Sequence, residues 1–360
     1  MSAADFVRAS EEPSRAAAGP GESRLRRGAR FAALGLGLVL CGGAGLWRGL
    51  IVRTPLAQPP RPARPLPAEL DRRLRCAPDE PLDVVTGPEL RVEGRRVLPG
   101  HLAVRREGQA QAARVHFRLY FADGVPRRAP AVVVTPILGG NNDIAKLVAA
   151  DLSEHGFHAV IVERRFGKGL GNAQRAFPPT LEALEETFRD MIADRRRVID
   201  WLETRPEVDP ARIGAYGVSL GGITTVCLAA AEPRVRAAVA VMAGGDLAAV
   251  LARSVERECV RLARANGVDP PGDPEAIAAF EARARPILQT EPYALAPYVD
   301  PRRVLLFTTR RDTSVPTVTQ ERLWEALGRP ERDSLPTGHY SAILYLPWIL
   351  SRAREFLRRR

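Results

Sequence analysis

The sequence predicts an α/β fold, with a mostly parallel twisted sheet of about eight strands and helices on both of its faces. From about residue 81 onward, short β-type segments alternate with longer amphipathic segments. Two of the β-type segments, residues 131–135 and 159–162, are continuous apolar runs, which are typical of strands buried on both faces of a sheet. Parallel strands need long crossovers, and an amphipathic segment follows each of these two runs.

Residues 1–52 predict a tail and a membrane segment. Residues 1–30 are rich in Ala, Ser, Gly, Glu and Arg without an apolar period, so we expect a disordered basic tail. Residues 31–47 carry no charge, and we expect residues 31–52 to form a transmembrane signal anchor or a cleaved signal peptide. A lipoprotein signal at Cys41 and a buried core helix are the remaining alternatives.

The charge on either side of this segment predicts its orientation. Arginines are dense between residues 24 and 30, which favours a cytoplasmic N-terminal side. We therefore expect a membrane-anchored protein whose main domain is extracytoplasmic, in the periplasm or at the cell surface, and secreted if the segment is cleaved.

Residues 53–80 predict a semi-stiff linker between the membrane segment and the main domain. Dense prolines favour an extended chain and oppose a helix. They are Pro55, Pro59, Pro60, Pro62, Pro65, Pro67 and Pro78.

The main domain, residues 81–360, supplies the strands and helices of the predicted sheet. Residues 113–121 alternate in polarity, which indicates an antiparallel opening to the sheet. The predicted strands are residues 82–92, 102–104, 113–121, 131–135, 159–162, 212–218, 235–242 and 304–308. The predicted helices are residues 143–155, 181–204, 221–231, 317–327 and 340–357.

One connection is longer than a crossover requires. About sixty residues separate the strand at 235–242 from the strand at 304–308, where a dozen or so would suffice. Residues 247–265 and 275–285 within it have helical patterns. We expect a helical cap at about residues 247–298 that packs over the strand ends, the alternative being surface helices with no role at a site.

Composition excludes several classes of function. The net charge of +11 is nearly all arginine, because Lys146 and Lys168 are the only lysines. These arginines are spread along the chain without interleaved aromatic residues, so we expect no nucleic-acid partner. The four cysteines have no metal-ligand spacing, and we expect neither a metal nor a cofactor.

The pentapeptide from Gly217 to Gly221 has the pattern G-x-S-x-G and places Ser219 between a strand and a helix. Such a strand-to-helix turn holds a serine in a strained conformation and exposes its hydroxyl above the sheet. Glycines on either side avoid clashes in the tight turn. The motif therefore predicts that Ser219 is a nucleophile.

A nucleophilic serine needs a base and a carboxylate that orients the base. His339 lies in a loop just before the last predicted helix, and Asp312 follows the strand at 304–308. The chain order Ser219, Asp312, His339 predicts a catalytic triad. Asp246, which follows the strand at 235–242, is the alternative acid.

An oxyanion formed at Ser219 needs two backbone donors. The N–H of Leu220, directly after the serine, is the first candidate. The second is the N–H of Leu138, in the loop after the strand at 131–135, where Gly139 and Gly140 allow a close approach of the backbone.

Residues 81–360 resemble the α/β-hydrolase superfamily, and most closely its dienelactone-hydrolase, acyl-esterase and prolyl-oligopeptidase-like branch. The resemblance rests on residues 209–222 together with Asp312 and His339. It implies cofactor-free hydrolysis of a small-molecule acyl ester through an acyl-enzyme. The alternatives are a thioesterase or peptidase of the same mechanism, a non-catalytic binding module with this fold, and a membrane-surface scaffold.

Overall fold

A computed structural model describes residues 49–360, apart from residues 78–79, 107, 125–127, 141, 169–173, 176 and 270–271. The strands are β1 (Val52–Thr54), β2 (Val84–Thr86), β3 (Leu90–Val92), β4 (Arg95–Val104), β5 (Ala113–Tyr120), β6 (Ala129–Thr135), β7 (His158–Val162), β8 (Gly167–Lys168), β9 (Gln174–Arg175), β10 (Val208–Val218), β11 (Val235–Val241), β12 (Val304–Thr309) and β13 (Glu331–Leu335).

Eleven of these strands form one sheet in the order β1-β13-β12-β11-β10-β6-β7-β5-β4-β2, with β3 beside β4. Strands β7, β6, β10, β11, β12 and β13 are parallel to their neighbours within this run. The first part of the sheet is antiparallel, from β2 through β4 and β5 to the contact of β5 with β7. This arrangement confirms the predicted α/β class and its antiparallel opening.

The sheet has more strands than the predicted eight or so. Strand β1 has three residues, too few for an alternating pattern, and the predicted strand at 82–92 is two strands, β2 and β3. The sequence of β13, ERDSL, is mostly polar although its last three residues are buried. The hydrophobic pattern therefore misses β1 and β13 and does not separate β2 from β3.

The helices are α1 (Ala68–Arg73), α2 (Asp143–Glu154), α3 (Leu181–Glu203), α4 (Leu220–Ala231), α5 (Leu247–Arg253), α6 (Arg257–Ala265), α7 (Pro274–Ala284), α8 (Pro292–Leu295), α9 (Thr317–Ala326) and α10 (Leu346–Arg358). Helices α3 and α4 pack together on one face of the sheet, and α2 and α10 pack together on the other. The predicted helix at 340–357 is a 3₁₀ helix, Tyr340–Tyr345, followed by α10, in which Pro347 occupies the first turn.

Residues 53–80 differ from the predicted helix-free linker. The short helix α1 forms in the proline-free stretch between Pro67 and Pro78, and Leu74 directly after it is completely buried. The Arg61 guanidinium donates to the carbonyl oxygen of Ala296 at 2.6 Å. The described part of this segment therefore packs on the main domain, because it carries apolar and arginine side chains between its prolines.

The predicted membrane segment lies almost entirely outside the described residues, which begin at Gly49. Within the described ranges, every helix is too short or too polar to cross a lipid bilayer. The signal anchor or signal peptide at residues 31–52 stays a prediction, and so does the localisation that depends on it.

The predicted insertion at 247–298 is helical, but its first helix is interrupted. Residues Ser254 to Glu256 separate α5 from α6, because the Ser254 side chain turns inward and donates to the carbonyl oxygen of Ser314 at 2.6 Å. Glu185 on α3 anchors the far end of the insertion by accepting from the N–H groups of Gln289 and Thr290. The insertion is thus fixed to the domain at both ends.

Candidate active site

Ser219 lies at the turn between β10 and α4 and has a backbone φ of 57°. This is a strained conformation for a residue with a side chain. The turn is too tight for side chains at its glycines: a Cβ on Gly217 would lie 2.0 Å from the carbonyl oxygen of Gly221, and a Cβ on Gly221 would lie 2.2 Å from that of Thr135. The N–H of Ser219 donates to Val241 at 2.8 Å, which ties the turn to β11.

Asp312 and His339 contact each other at the carboxyl end of the sheet. The His339 Nδ1 atom lies 2.8 Å from the Asp312 Oδ2 atom. The same carboxylate accepts from the hydroxyl of Thr309, the amide of Gln320 and the backbone N–H groups of Ser314 and Val315. These donors stabilise a buried negative charge. A carboxylate only accepts, so Nδ1 of His339 carries a proton, and in the neutral ring Nε2 is the nitrogen with the lone pair.

Asp246, the alternative acid, lies elsewhere. Its carboxylate accepts from Arg285 at 2.9 Å and from Arg322 at 3.2 Å. It also caps the N-terminus of α5 through the N–H of Ala249. Asp312 thus contacts His339, whereas Asp246 connects the insertion to α9 through Arg285 and Arg322.

The loop after β6 is fixed by Arg164, which is buried. Its guanidinium donates to the carbonyl oxygens of Ile137, Gly139 and Gly140, the last two at 3.0 and 3.1 Å. In a trans peptide the N–H points opposite to the C=O, so the N–H of Leu138 points away from Arg164. Leu220 is the first residue of α4, where an N–H has no acceptor within its own helix.

A cavity of about 520 Å³ brings these parts together. Ser219 and His339 both line it, as do the loop residues from Ile137 to Gly140. Most of its remaining described lining is aliphatic. These side chains include Ile144, Val218, Val241, Ile343, Leu346 and Ile349. Its volume is within the range of small-molecule sites, roughly 300–1,000 Å³.

Glu256 and Tyr340 line this cavity next to its candidate catalytic residues, and neither was predicted from the sequence. Glu256, at the start of α6, lines the cavity and accepts a hydrogen bond from the Tyr340 hydroxyl at 2.7 Å. This hydrogen bond, together with burial, raises the pKa of Tyr340, so its hydroxyl stays a donor at neutral pH. Tyr340 could have been suspected from its position next to His339, whereas no motif in the insertion marks Glu256.

The central part of the chain is similar to known hydrolases. The dienelactone hydrolase family model matches residues 117–263, which is less than half of the chain and ends before Asp312 and His339. A 118-residue stretch is 33% identical to a probable 2-oxo-3-(5-oxofuran-2-ylidene)propanoate lactonase from a Bradyrhizobium species and covers 46% of it. A stretch of equal length is 32% identical to the thiohydrolase apmlB of Arthrinium phaeospermum and covers 35% of it. Each stretch is 32% of this chain.

Solved structures are similar over a larger part of the chain. Acetyl xylan esterase 1 from Thermoanaerobacterium sp. JW/SL YS485 superposes with a TM-score of 0.52 over 80% of this chain and 99% of its own, at 20% identity. The acetyl xylan esterase of Paenibacillus sp. R4 gives a TM-score of 0.52 over 79% of this chain and 99% of its own, at 15% identity. At these identities the likeness is one of fold, and it confirms the predicted α/β-hydrolase fold.

Proposed function

We propose that this chain, which has the α/β-hydrolase fold, is a serine hydrolase that cleaves a carboxylic ester through an acyl-enzyme at Ser219. The observation that carries the proposal is the 2.8 Å contact between His339 and Asp312 at a cavity that Ser219 also lines. The backbone strain at Ser219 supports it further, because strained residues cluster at active sites.

In the proposed reaction, Nε2 of His339 takes the hydroxyl proton of Ser219 while Oγ attacks the carbonyl carbon of the ester. Asp312 holds the imidazole in the required tautomer and stabilises its protonated form. When the tetrahedral intermediate collapses, the carbon–oxygen bond to the alcohol breaks and His339 protonates the leaving oxygen. A water molecule, activated by His339 in the same way, then releases the acid from Ser219.

The negative oxygen of the tetrahedral intermediate needs donors that are already in place. We assign this role to the N–H groups of Leu220 and Leu138. Leu220 supports the assignment because it begins α4, and the N-terminus of a helix favours negative charge. Leu138 supports it because Arg164 binds the carbonyl oxygens of the residues on either side of it, Ile137 and Gly139, and so fixes this part of the loop.

A thioester is the second candidate substrate, and the relative named a thiohydrolase favours it. The proposed steps are the same, with a thiol as the leaving group. Thiols leave without protonation more readily than alcohols do, so the ester reaction depends more strongly on His339 as an acid in the acylation step. Comparing an oxygen ester with the thioester of the same acyl group separates the two candidates.

Labelling by a fluorophosphonate and hydrolysis of p-nitrophenyl esters test the proposal. Ser219→Ala should abolish labelling, and both Ser219→Ala and Asp312→Asn should lower kcat by about 10⁴-fold or more. The matched control is Asp246→Asn, which removes a carboxylate bound to arginines and should change kcat less than about threefold. A folded wild type that is not labelled, or a Ser219→Ala variant that keeps its turnover, would refute the proposal.

A further inference from the structure

The cavity at Ser219 is lined mainly by aliphatic side chains contributed by four parts of the fold. These are the loop after β6, the ends of β10 and β11, helix α2 and the segment that follows His339. Such a lining offers little solvation to a charged group, and burying an unpaired charge in it is costly. An acyl group that enters this cavity therefore gains most from being apolar.

One carboxylate interrupts the aliphatic lining in the part of the chain that the structure describes. Glu256 is half-buried at the start of α6, where the insertion reaches the cavity. Its Oε1 atom accepts from the Tyr340 hydroxyl at 2.7 Å, and this contact joins the insertion to the residue after His339. The hydrogen bond fixes the position of the carboxylate and leaves its negative charge in place.

Arginines that follow β7 are turned away from the cavity. Arg164 donates to the carbonyl oxygens of the loop after β6, and Arg165 donates to the buried carboxylate of Asp194, with 2.6 Å between Nε and Oδ2. Among the described lining residues there is no arginine or lysine to compensate Glu256. A second negative charge in this cavity would therefore meet both an apolar wall and a like charge.

We propose that Glu256 makes this enzyme select esters whose acyl group is apolar and carries no negative charge. The proposal rests on the ester hydrolase activity proposed above and specifies its substrate class. The proposed substrate differs in charge from that of the Bradyrhizobium relative, whose name describes a propanoate, the anion of an acid. Likeness to that relative over the central segment thus does not extend to the charge of the substrate.

Two esters of equal chain length test the proposal on the full-length protein. They are p-nitrophenyl hexanoate and the mono-p-nitrophenyl ester of adipic acid, which adds a terminal carboxylate to the same chain. For the wild type, kcat/KM should be about 100-fold or more higher for the hexanoate, because the terminal carboxylate of the adipate ester would meet both the aliphatic lining and the like charge of Glu256.

Glu256→Gln removes the charge but keeps an oxygen that can accept from Tyr340. It should raise kcat/KM for the adipate ester about tenfold relative to kcat/KM for the hexanoate. The matched control is Glu258→Gln on the same helix, which removes an equal charge that pairs with Arg257 and Arg261. This control should leave the ratio of the two substrates unchanged, because Glu258 pairs with arginines and is not among the described lining residues of the cavity.

Equal turnover of both esters by the wild type, or an unchanged ratio in Glu256→Gln, would overturn the inference alone. Absence of turnover on both esters, together with absence of fluorophosphonate labelling, would overturn the proposed function and this inference with it. Melting temperatures of the two variants show whether they are folded, and equal turnover of both esters by the wild type would overturn the inference even where a variant is not folded.

Discussion

At the scale of single residues, the candidate site requires residues without a Cβ atom on both sides of Ser219. Gly217 and Gly221 face backbone oxygens at distances that a methyl group could not occupy. They let the chain turn sharply enough to place Ser219 above the sheet with a positive φ. The glycines of this turn are therefore required by the packing of α4 against β6 and β10, and not only by the local flexibility of the chain.

Gly217→Ala should lower the free energy of unfolding by about 3 kcal/mol, because the added Cβ would lie 2.0 Å from the carbonyl oxygen of Gly221. The matched control is Gly139→Ala, where no atom lies within 4 Å of the added Cβ. That control should change stability by less than about 1 kcal/mol. Urea unfolding of both variants measures the difference, and equal stabilities would contradict the packing argument.

At the scale of secondary-structure elements, the loop after β6 and the helical insertion are each fixed by a buried ionisable residue. Arg164 binds three carbonyl oxygens of the loop and so orders the backbone beside Ser219. Glu291 does the same for the insertion, where it accepts from the backbone N–H groups of Asp246, Tyr293 and Ala294. A loop held in this way is a better donor site than a free loop, because its order is established on folding.

Arg164→Lys should lower kcat for ester hydrolysis about 10- to 100-fold and leave KM nearly unchanged, because an ammonium group cannot hold three carbonyl oxygens in the geometry of a guanidinium. Arg165→Lys is the control, since Arg165 binds Asp194 and makes no described contact with the loop. Steady-state kinetics measure both. A rise in KM at constant kcat would show that Arg164 acts on substrate binding instead.

The stability of the insertion should depend on pH through Glu291. Burial raises the pKa of Glu291 to about 7 from 4.5, so the folded state keeps a proton that the unfolded state releases. The stabilisation is fully present below pH 4.5 and is lost as the pH rises through about 7, with a size on the order of 3 kcal/mol.

Urea unfolding of the wild type and of Glu291→Gln between pH 4.5 and pH 8 tests this expectation. The glutamine does not titrate, so the stability of the wild type should fall relative to that of the variant as the pH rises. A difference between the two proteins that stays constant over this range would mean that Glu291 has an ordinary pKa.

At the scale of the whole molecule, the segment before the sheet is part of the folded domain. Strand β1 lies at the edge of the sheet next to β13, and Arg53 pairs with Asp333 at 3.6 Å. Near the other end of residues 53–80, Leu74 is part of the hydrophobic core. The folded domain thus begins near residue 53, and not at residue 81 as the proline content suggested.

Leu74→Ala should lower the free energy of unfolding by about 2–5 kcal/mol, because Leu74 is completely buried and its truncation leaves a cavity. Leu344→Ala, at a side chain that is 51% exposed, is the matched control and should cost less than about 0.5 kcal/mol. Thermal or urea unfolding measures both. A loss in Leu74→Ala as small as that expected for the control would mean that Leu74 contributes little to the stability of the domain.

The sequence by itself determined the order of strands and helices and the three residues of the proposed triad. Apolar runs and period-3.6 patterns are local, so they predict β6, β7, β10, β11 and β12 and the helices between them. The motif around Ser219 and the late positions of Asp312 and His339 are equally local, since each follows a recognisable strand. The predicted α/β-hydrolase fold is confirmed for this reason.

The tertiary structure alone decided which side chains meet. Asp246 and Asp312 both follow a strand, and only the folded chain shows that Arg285 and Arg322 bind the first while His339 contacts the second. Glu256 reaches the cavity from a connection without a motif, and β13 pairs in the sheet despite a polar sequence. Contacts between residues far apart in the chain depend on packing, which no local pattern of polarity records.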